Sequence, residues 1–226
     1  MKAIVNMKDL YAMEGAIFLS DMDGTLTKGS IVLEHAGYLI EKGYIKDDGS
    51  YEAWVKDVKN ETLIVAVAEN YRHQLKGLKV EDLHVKEFIA EQLEDENKWY
   101  STLGLLKQAK ENGNRVVIIS GSSDFLVEEI ASQLGFEGYG SRYLKDEEGK
   151  LNGELVGMFG EESKDELINN ELLKGEEDKF IVGLGDTSAD NGIFKNANYN
   201  ILVEPTSQTM EHLLQVGARI NKIVRQ

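Results

Sequence analysis

Four short apolar runs stand out along the chain: Ala16-Ile17-Phe18-Leu19-Ser20, Arg115-Val116-Val117-Ile118-Ile119-Ser120, Lys179-Phe180-Ile181-Val182-Gly183-Leu184-Gly185 and Tyr199-Asn200-Ile201-Leu202-Val203. They are continuous rather than alternating in polarity, the pattern of parallel strands covered by helices on both faces. Helical spacing surrounds the second run. Leu105, Leu106 and Ala109 share a face of a segment from Leu103 to Asn112, which Gly113 closes. After Ser120, Ser123 is placed to start a helix through Ile130, and Gly135 to stop it. Strands alternating with helices predict an α/β fold, a Rossmann-like doubly wound parallel sheet.

More than ninety residues separate the first two runs, far more than a crossover helix needs. Apolar residues recur at helical spacing over 31–40, 51–58, 62–75 and 80–93, with Gly43 and Gly77 as breaks. This predicts a catalytic core from residues 1–29 and 97–226, with a helical cap domain of residues 30–96 inserted. The other organisation such a pattern allows is extra helices within one core. The stretch Gly149-Lys150-Leu151-Asn152-Gly153-Glu154-Leu155 predicts a small hairpin.

At 226 residues and 42% hydrophobic, the chain can bury a sizeable core. No apolar run approaches the ~20 residues that span a bilayer, and no secretion signal is read at the N-terminus. The expected location is cytoplasmic, with no membrane partner. The absence of cysteine excludes disulfides, thiolate metal sites and cysteine nucleophiles. A formal net charge of −15 argues against nucleic acid, whose binding needs a basic face. A site for an anionic substrate would need local cations or helix N-termini to reverse that sign.

The candidate chemistry lies where the apolar runs end, the side on which open α/β sheets bind ligands. Asp21-Met22-Asp23-Gly24-Thr25 follows the first run and sets two carboxylates two residues apart, with a glycine that permits a sharp turn. Gly185-Asp186-Thr187-Ser188-Ala189-Asp190 ends the third run in the same way. An acidic turn after a strand is common, and an Asp in a first helical turn is favoured by the helix dipole alone. Ser120-Gly121 offers a hydroxyl and free N–H groups, although Ser-Gly is also an ordinary loop. Ser163-Lys164-Asp165-Glu166 reads as a capping box that makes Lys164 the first residue of a helix, against the dipole's preference; a solvated surface lysine is the bland reading. Together these carboxylates would repel unless a cation sat among them. An all-oxygen donor set suits Mg²⁺, and a phosphate could complete its shell.

The four segments, in this order and spacing, resemble the motifs of the haloacid dehalogenase superfamily, over residues 15–30 and 100–210. The position of the insert resembles the phosphoserine-phosphatase-like branch. The resemblance implies a Mg²⁺-dependent phosphatase acting on a small-molecule phosphomonoester, with Asp21 as nucleophile and Asp23 as general acid and base. It implies Mg²⁺ held by Asp21, the backbone carbonyl of Asp23, and Asp186. It further implies that Thr25, Ser120, Gly121 and Lys164 bind the phosphoryl group and that Asp190 supports Lys164. Two positions depart from the branch's pattern: Ser30 stands where a cap glutamate is usual, with Glu34 the nearest acid, and Ala189 where asparagine is usual.

Other activities fit parts of the pattern. A phosphotransferase could use the same aspartyl-phosphate, and a receiver-like signalling module or a phosphate-binding protein could use a similar acidic cluster. The four histidines, His35, His73, His84 and His212, have no metal-ligand spacing with acidic partners and are expected at the surface or in packing. Arg72 is expected on a solvated helix face, Trp54, Trp99 and Tyr100 in packing, and Asp47-Asp48 in a solvated turn.

Overall fold

The computed structural model describes residues 7–47, 49, 51, 70–157 and 160–225. A short helix α1 (Met7–Tyr11) leads into β1 (Ile17–Ser20), and α2 (Ile31–Glu41) begins the insert. Further along come α3 (Val85–Glu94), α4 (Ser101–Glu111), β2 (Arg115–Ser123), α5 (Asp124–Leu134), β3 (Glu137–Lys145) and β4 (Leu151–Val156). The chain then forms α6 (Glu161–Leu167), β5 (Ile181–Gly185), α7 (Asn191–Lys195), β6 (Tyr199–Val203), α8 (Ser207–Gln215) and β7 (Lys222–Val224). The strands make one sheet in the order β4-β3-β2-β1-β5-β6-β7. All neighbours are parallel except β3 and β4.

Both faces of the central strands are covered, which explains their unbroken apolar runs. Phe18, Val116, Ile118, Val182 and Leu184 pack on one side; Ile17, Leu19, Val117, Ile119 and Leu202 pack on the other. Side chains alternate across each strand, so a strand buried on two faces needs apolar residues at every position. Gly135 ends α5 in the left-handed conformation, as expected, and Ser123 is its N-cap residue.

The edges depart from the sequence reading. The hairpin is larger than residues 149–155 and is made by β3 and β4. Its turn is held by Asp146, whose Oδ1 accepts from the N–H groups of Glu148 and Lys150, each at 2.9 Å. Polar residues and glycines disguise β3. One of them, Gly140, lies so close to α5 that a Cβ there would stand 2.7 Å from the backbone of Asp124. The three-residue edge strand β7 has an exposed Lys222 and Ile223 and no apolar run to announce it.

In the insert, the expected helix at 31–40 is α2. The pattern at 80–93 is broken in two: a 3₁₀ turn (Val80–Leu83) and α3, separated by His84 with φ +49°. Apart from Tyr51, the predicted helix at 51–58, with Trp54, and most of that at 62–75 lie outside the described residues, as does Asp48. The described part of the insert shares an apolar cluster with one face of the sheet: Leu39, Tyr71, Leu75 and Phe88 join Phe18 and Ile118. Residues 77 and 78 also bond to β4, through Gly77 N to Leu151 O and Leu151 N to Leu78 O, both 2.8 Å. Arg72 is not on a solvated face. Its guanidinium donates to the carbonyl of Gly153 in β4. Trp99 is buried and donates from Nε1 to Gln92 O at 2.9 Å. No described helix is long and apolar enough to cross a membrane.

His35 of α2 is fully buried between the insert's helices. Its Nε2 lies 2.8 Å from the carbonyl of Leu83, which can only accept, so Nε2 carries the proton and Nδ1 accepts from the Tyr71 hydroxyl. A second ring proton, on Nδ1, would require the Tyr71 hydroxyl to turn from donor to acceptor. Burial pushes the imidazole down to about 4 despite the carbonyl of Leu83.

A group whose basicity falls on folding stabilises the fold in its neutral form. That contribution is complete above the unfolded histidine's value near 6.5 and is lost as pH falls from there through about 4. It amounts to on the order of 3 kcal/mol. Urea unfolding of the parent and of His35→Gln should therefore show a steeper loss of stability between pH 6.5 and 4 in the parent. Equal slopes would mean that His35 is not held neutral by the fold.

Candidate active site

The ends of β1, β2 and β5 meet at one edge of the sheet, as parallel strands in register require. Ser20 of β1 lies beside Ile118 of β2 and Leu184 of β5. Asp21 follows directly and is fixed by its N–H donating to Leu184 O at 3.0 Å. The chain then turns tightly: the carbonyl of Met22 accepts from Leu26 N at 2.8 Å and Thr27 N at 3.0 Å. Gly24 makes the turn possible. Its φ is +82°, and a Cβ there would stand 2.2 Å from Asp186 Oδ2, so only glycine lets the two acidic loops touch.

Lys164 is buried and joins two of these loops. Its Nζ lies 2.7 Å from Asp21 Oδ1 and 2.6 Å from Asp190 Oδ1. The other oxygen of Asp190 accepts from the N–H groups of Asp186 and Thr187, each at 2.9 Å, and from the Thr187 hydroxyl at 3.2 Å. Asp190 is thereby saturated and acts as a bracket between α6 and the end of β5. Thr25 Oγ1 donates to Asp186 Oδ1 at 3.1 Å, while Thr25 O accepts from Thr102 at 2.5 Å.

The expected capping box at Ser163 is not what places Lys164. Helix α6 begins at Glu161 with Gly160 as its N-cap residue, and Ser163 Oγ accepts from Gly160 N at 3.3 Å. Lys164 thus lies a turn into the helix, and the dipole argument for it lapses. Glu161 and Glu162 take the first-turn positions that favour acids, which moves the helix start upstream.

Asp23 points elsewhere. Its Oδ1 accepts from the N–H of Ile31 at the start of α2, at 2.7 Å. Its Oδ2 accepts from Ser122 Oγ at 2.6 Å and Ser120 Oγ at 3.2 Å. Ser120, expected on a phosphate, here binds Asp23. Gly121 is fixed from behind, its carbonyl accepting from Ser141 Oγ at 2.7 Å. Sequence reasoning missed Ser122, Thr102 and the Ile31 amide. The Ser-Gly-Ser-Ser run at 120–123 was the one available signal for Ser122, and hydroxyl-rich loops are too common to single it out.

The electrostatics show an unmet need for positive charge. Carboxylate oxygens of Asp21, Asp186 and Asp190 lie within 4.8 Å of one another, and Lys164 is the ammonium bonded among them. Burial pushes Asp21 up to about 8, against the pull of Lys164 and with the help of Asp190. Burial, Asp190 and Asp21 push Asp186 well above the usual carboxylate range. Burial works against the charge on Lys164, but Asp190 and Asp21 outweigh it and raise its basicity. Asp23 is raised by burial, and its three hydrogen-bond donors oppose the shift.

This donor set fits a hard divalent cation. Lys164 engages only Oδ1 of Asp21, and Thr25 only Oδ1 of Asp186, so each carboxylate keeps its Oδ2 for a ligand bond. All donors are oxygen, as Mg²⁺ prefers.

Comparison with known proteins agrees with this geometry. Residues 18–195 match the sequence model of the haloacid dehalogenase-like hydrolase family. A phosphoserine phosphatase of Archaeoglobus fulgidus is 25% identical over 190 residues, 83% of this chain and 52% of that protein. One of Methanocaldococcus jannaschii is 30% identical over 98 residues, 42% of this chain and 46% of that protein. The chain thus spans about half the length of the curated relatives it matches. Among solved structures, a phospho-aspartyl intermediate analogue of phosphoserine phosphatase superposes with a TM-score of 0.62 at 22% identity, covering 94% of each chain.

Replacing Asp186 with Asn removes one crowded charge while keeping an acceptor for Thr25. An acid raised on folding contributes least at high pH, because the fold disfavours its charged form. In chelator at pH 8–9, Asp186→Asn should therefore be more stable than the parent by roughly 1 kcal/mol, about 2–4 °C in Tm for a chain of this size. The difference should shrink as pH is lowered. A variant less stable than the parent across this range would contradict the excess of negative charge.

Proposed function

Since this chain belongs to the haloacid dehalogenase-like hydrolase family, we propose that it is of the phosphoserine-phosphatase-like kind and hydrolyses a small-molecule phosphomonoester through an aspartyl-phosphate on Asp21. The observation that carries this reading is the separation of roles between two neighbouring carboxylates. Asp21 is held by Lys164 on one oxygen, and Asp23 is held away from Lys164 by Ile31, Ser120 and Ser122.

In the proposed reaction a carboxylate oxygen of Asp21 attacks phosphorus as the bond to the leaving oxygen breaks. Lys164, fixed by Asp190, keeps Asp21 aimed and offsets charge on the transferring group. Thr25, Ser120 and Gly121 line the phosphoryl site. Asp23, protonated, gives its proton to the leaving alkoxide. In the second half, water attacks the phosphorus of the acyl phosphate while Asp23 takes a proton from it, which releases inorganic phosphate and restores the Asp21 carboxylate and the protonated Asp23. Mg²⁺ held by Asp21, the carbonyl of Asp23 and Asp186 would supply the charge neutralisation that the buried carboxylates lack. The insert would cover this edge of the sheet and read the rest of the substrate, as a protein of the cytoplasm acting on small phosphorylated metabolites. Glu34 pairs with Lys98 at 2.8 Å and Arg72 with Gly153, so two of the insert's charged groups are already engaged.

The reading predicts phosphatase activity that chelator abolishes and Mg²⁺, but not Ca²⁺, restores, because Ca²⁺ takes longer bonds and more ligands. Full turnover in excess chelator would sink it. Asp21→Asn should lose turnover of every phosphomonoester. Asp23→Asn should be selective, since its acid role matters only for a basic leaving group. Its kcat/KM for an alkyl phosphate should fall roughly 10²–10⁴-fold, and for p-nitrophenyl phosphate far less. Equal losses would remove Asp23 from the role of leaving-group acid.

A further inference from the structure

We propose that Ser122 is a positioning residue that keeps Asp23 aimed when substrate draws Ser120 away; this rests on the reading of Asp23 as the leaving-group acid. Residues 120 and 122 are two apart at the end of β2 and so share a face. The register between β2 and β3 shifts there: Ile119 pairs with Tyr139, but Ser123 pairs with Ser141, so β2 spends two more residues over this stretch than β3 does. The irregularity turns both hydroxyls toward one carboxylate oxygen, Asp23 Oδ2. Bulges next to sites commonly re-aim side chains in this way.

The two bonds are unequal. Ser122 Oγ is 2.6 Å from Oδ2 and Ser120 Oγ is 3.2 Å. Ser120 also accepts from Ser122 N at 3.1 Å, which fixes its oxygen and leaves its proton free to rotate. A hydroxyl has one proton to donate. When Ser120 gives that proton to a phosphoryl oxygen, it must leave Asp23. The departure frees a lone pair on Oδ2, where the proton destined for the leaving oxygen can reside. Ser122 and the Ile31 amide then fix the carboxyl group's orientation. Both serines are buried, at 6% exposure for Ser122 and 1% for Ser120, so the shorter bond to Oδ2, not burial, is what keeps Ser122 in position while Ser120 changes partner.

The test compares kcat/KM for ethyl phosphate and p-nitrophenyl phosphate, at saturating Mg²⁺, in Ser122→Ala, Ser122→Gly and Ser122→Thr. The ratio of the two constants in one sample is insensitive to partial unfolding, and the second hydroxyl-free variant serves where the first does not fold. Loss of the hydroxyl should lower the ethyl-to-nitrophenyl ratio about tenfold, a fraction of the roughly 10²–10⁴-fold that a general acid contributes. Ser122→Thr should recover most of it. Inhibition by inorganic phosphate should stay within about threefold in Ser122→Ala and weaken more in Ser120→Ala, by about tenfold for a lost hydrogen bond to a charged group. An unchanged ratio in both hydroxyl-free variants, beside a lowered ratio in Asp23→Asn, overturns the role of Ser122 alone. Equal weakening of phosphate inhibition by Ser122→Ala and Ser120→Ala overturns it as well, making Ser122 a phosphate ligand. An unchanged ratio in Asp23→Asn itself overturns the acid assignment on which the proposal stands.

Discussion

The contact on which the site depends is the buried fork of Lys164 between Asp21 and Asp190, at 2.7 and 2.6 Å. A single ammonium cannot neutralise Asp21, Asp186 and Asp190 together, and burial penalises whatever charge is left over. The shortfall is local, but it has the same sign as the whole chain, whose formal charge is −15. Such a site favours a divalent cation, whose charge would offset the excess that the carboxylates leave over the lysine.

The fold exists to hold this crowding in place. Three parallel strands in register end at one level, and loops from two of them are brought into contact at Gly24, beside Asp186. Asp190 does not face the substrate with a spare oxygen. It ties the start of the loop after β5 to α6, and so makes the position of Lys164 depend on the sheet. Repulsion among like charges would push these loops apart. The two-sided apolar core beneath them resists it, with Phe18 on one face and Leu19 on the other, both fully buried.

The link between core and insert lies at the same place. The first helical residue of α2, Ile31, donates its N–H to Asp23, so the helix that opens the insert is registered to a carboxylate of the core. On the far side, Arg72, Gly77 and Leu78 bond to β4. The described part of the insert is therefore fastened at both the proposed active site and the hairpin. The buried neutral His35 between α2, Tyr71 and Leu83 adds a polar lock whose strength depends on pH.

Much of this was legible in the residues themselves. Apolar runs marked β1, β2, β5 and β6 because a strand buried on both faces must be apolar throughout. The acidic turns at their ends were visible because Asp21, Asp23, Asp186 and Asp190 lie close together in sequence within two short segments. What the sequence alone did not determine were contacts between residues far apart in the chain. It could not register that Ser122 reaches Asp23 across 99 positions, nor that Arg72 turns to Gly153 across 81. It misplaced the start of α6 because a serine and an acid three residues apart satisfy a capping box as well as a first turn. It missed β3 and β7, where glycine and exposed polar residues remove the apolar signal. Local spacing determines which residues can share a strand end or a helix face; which partner each finds there is decided by packing, and that is a property of the whole folded chain.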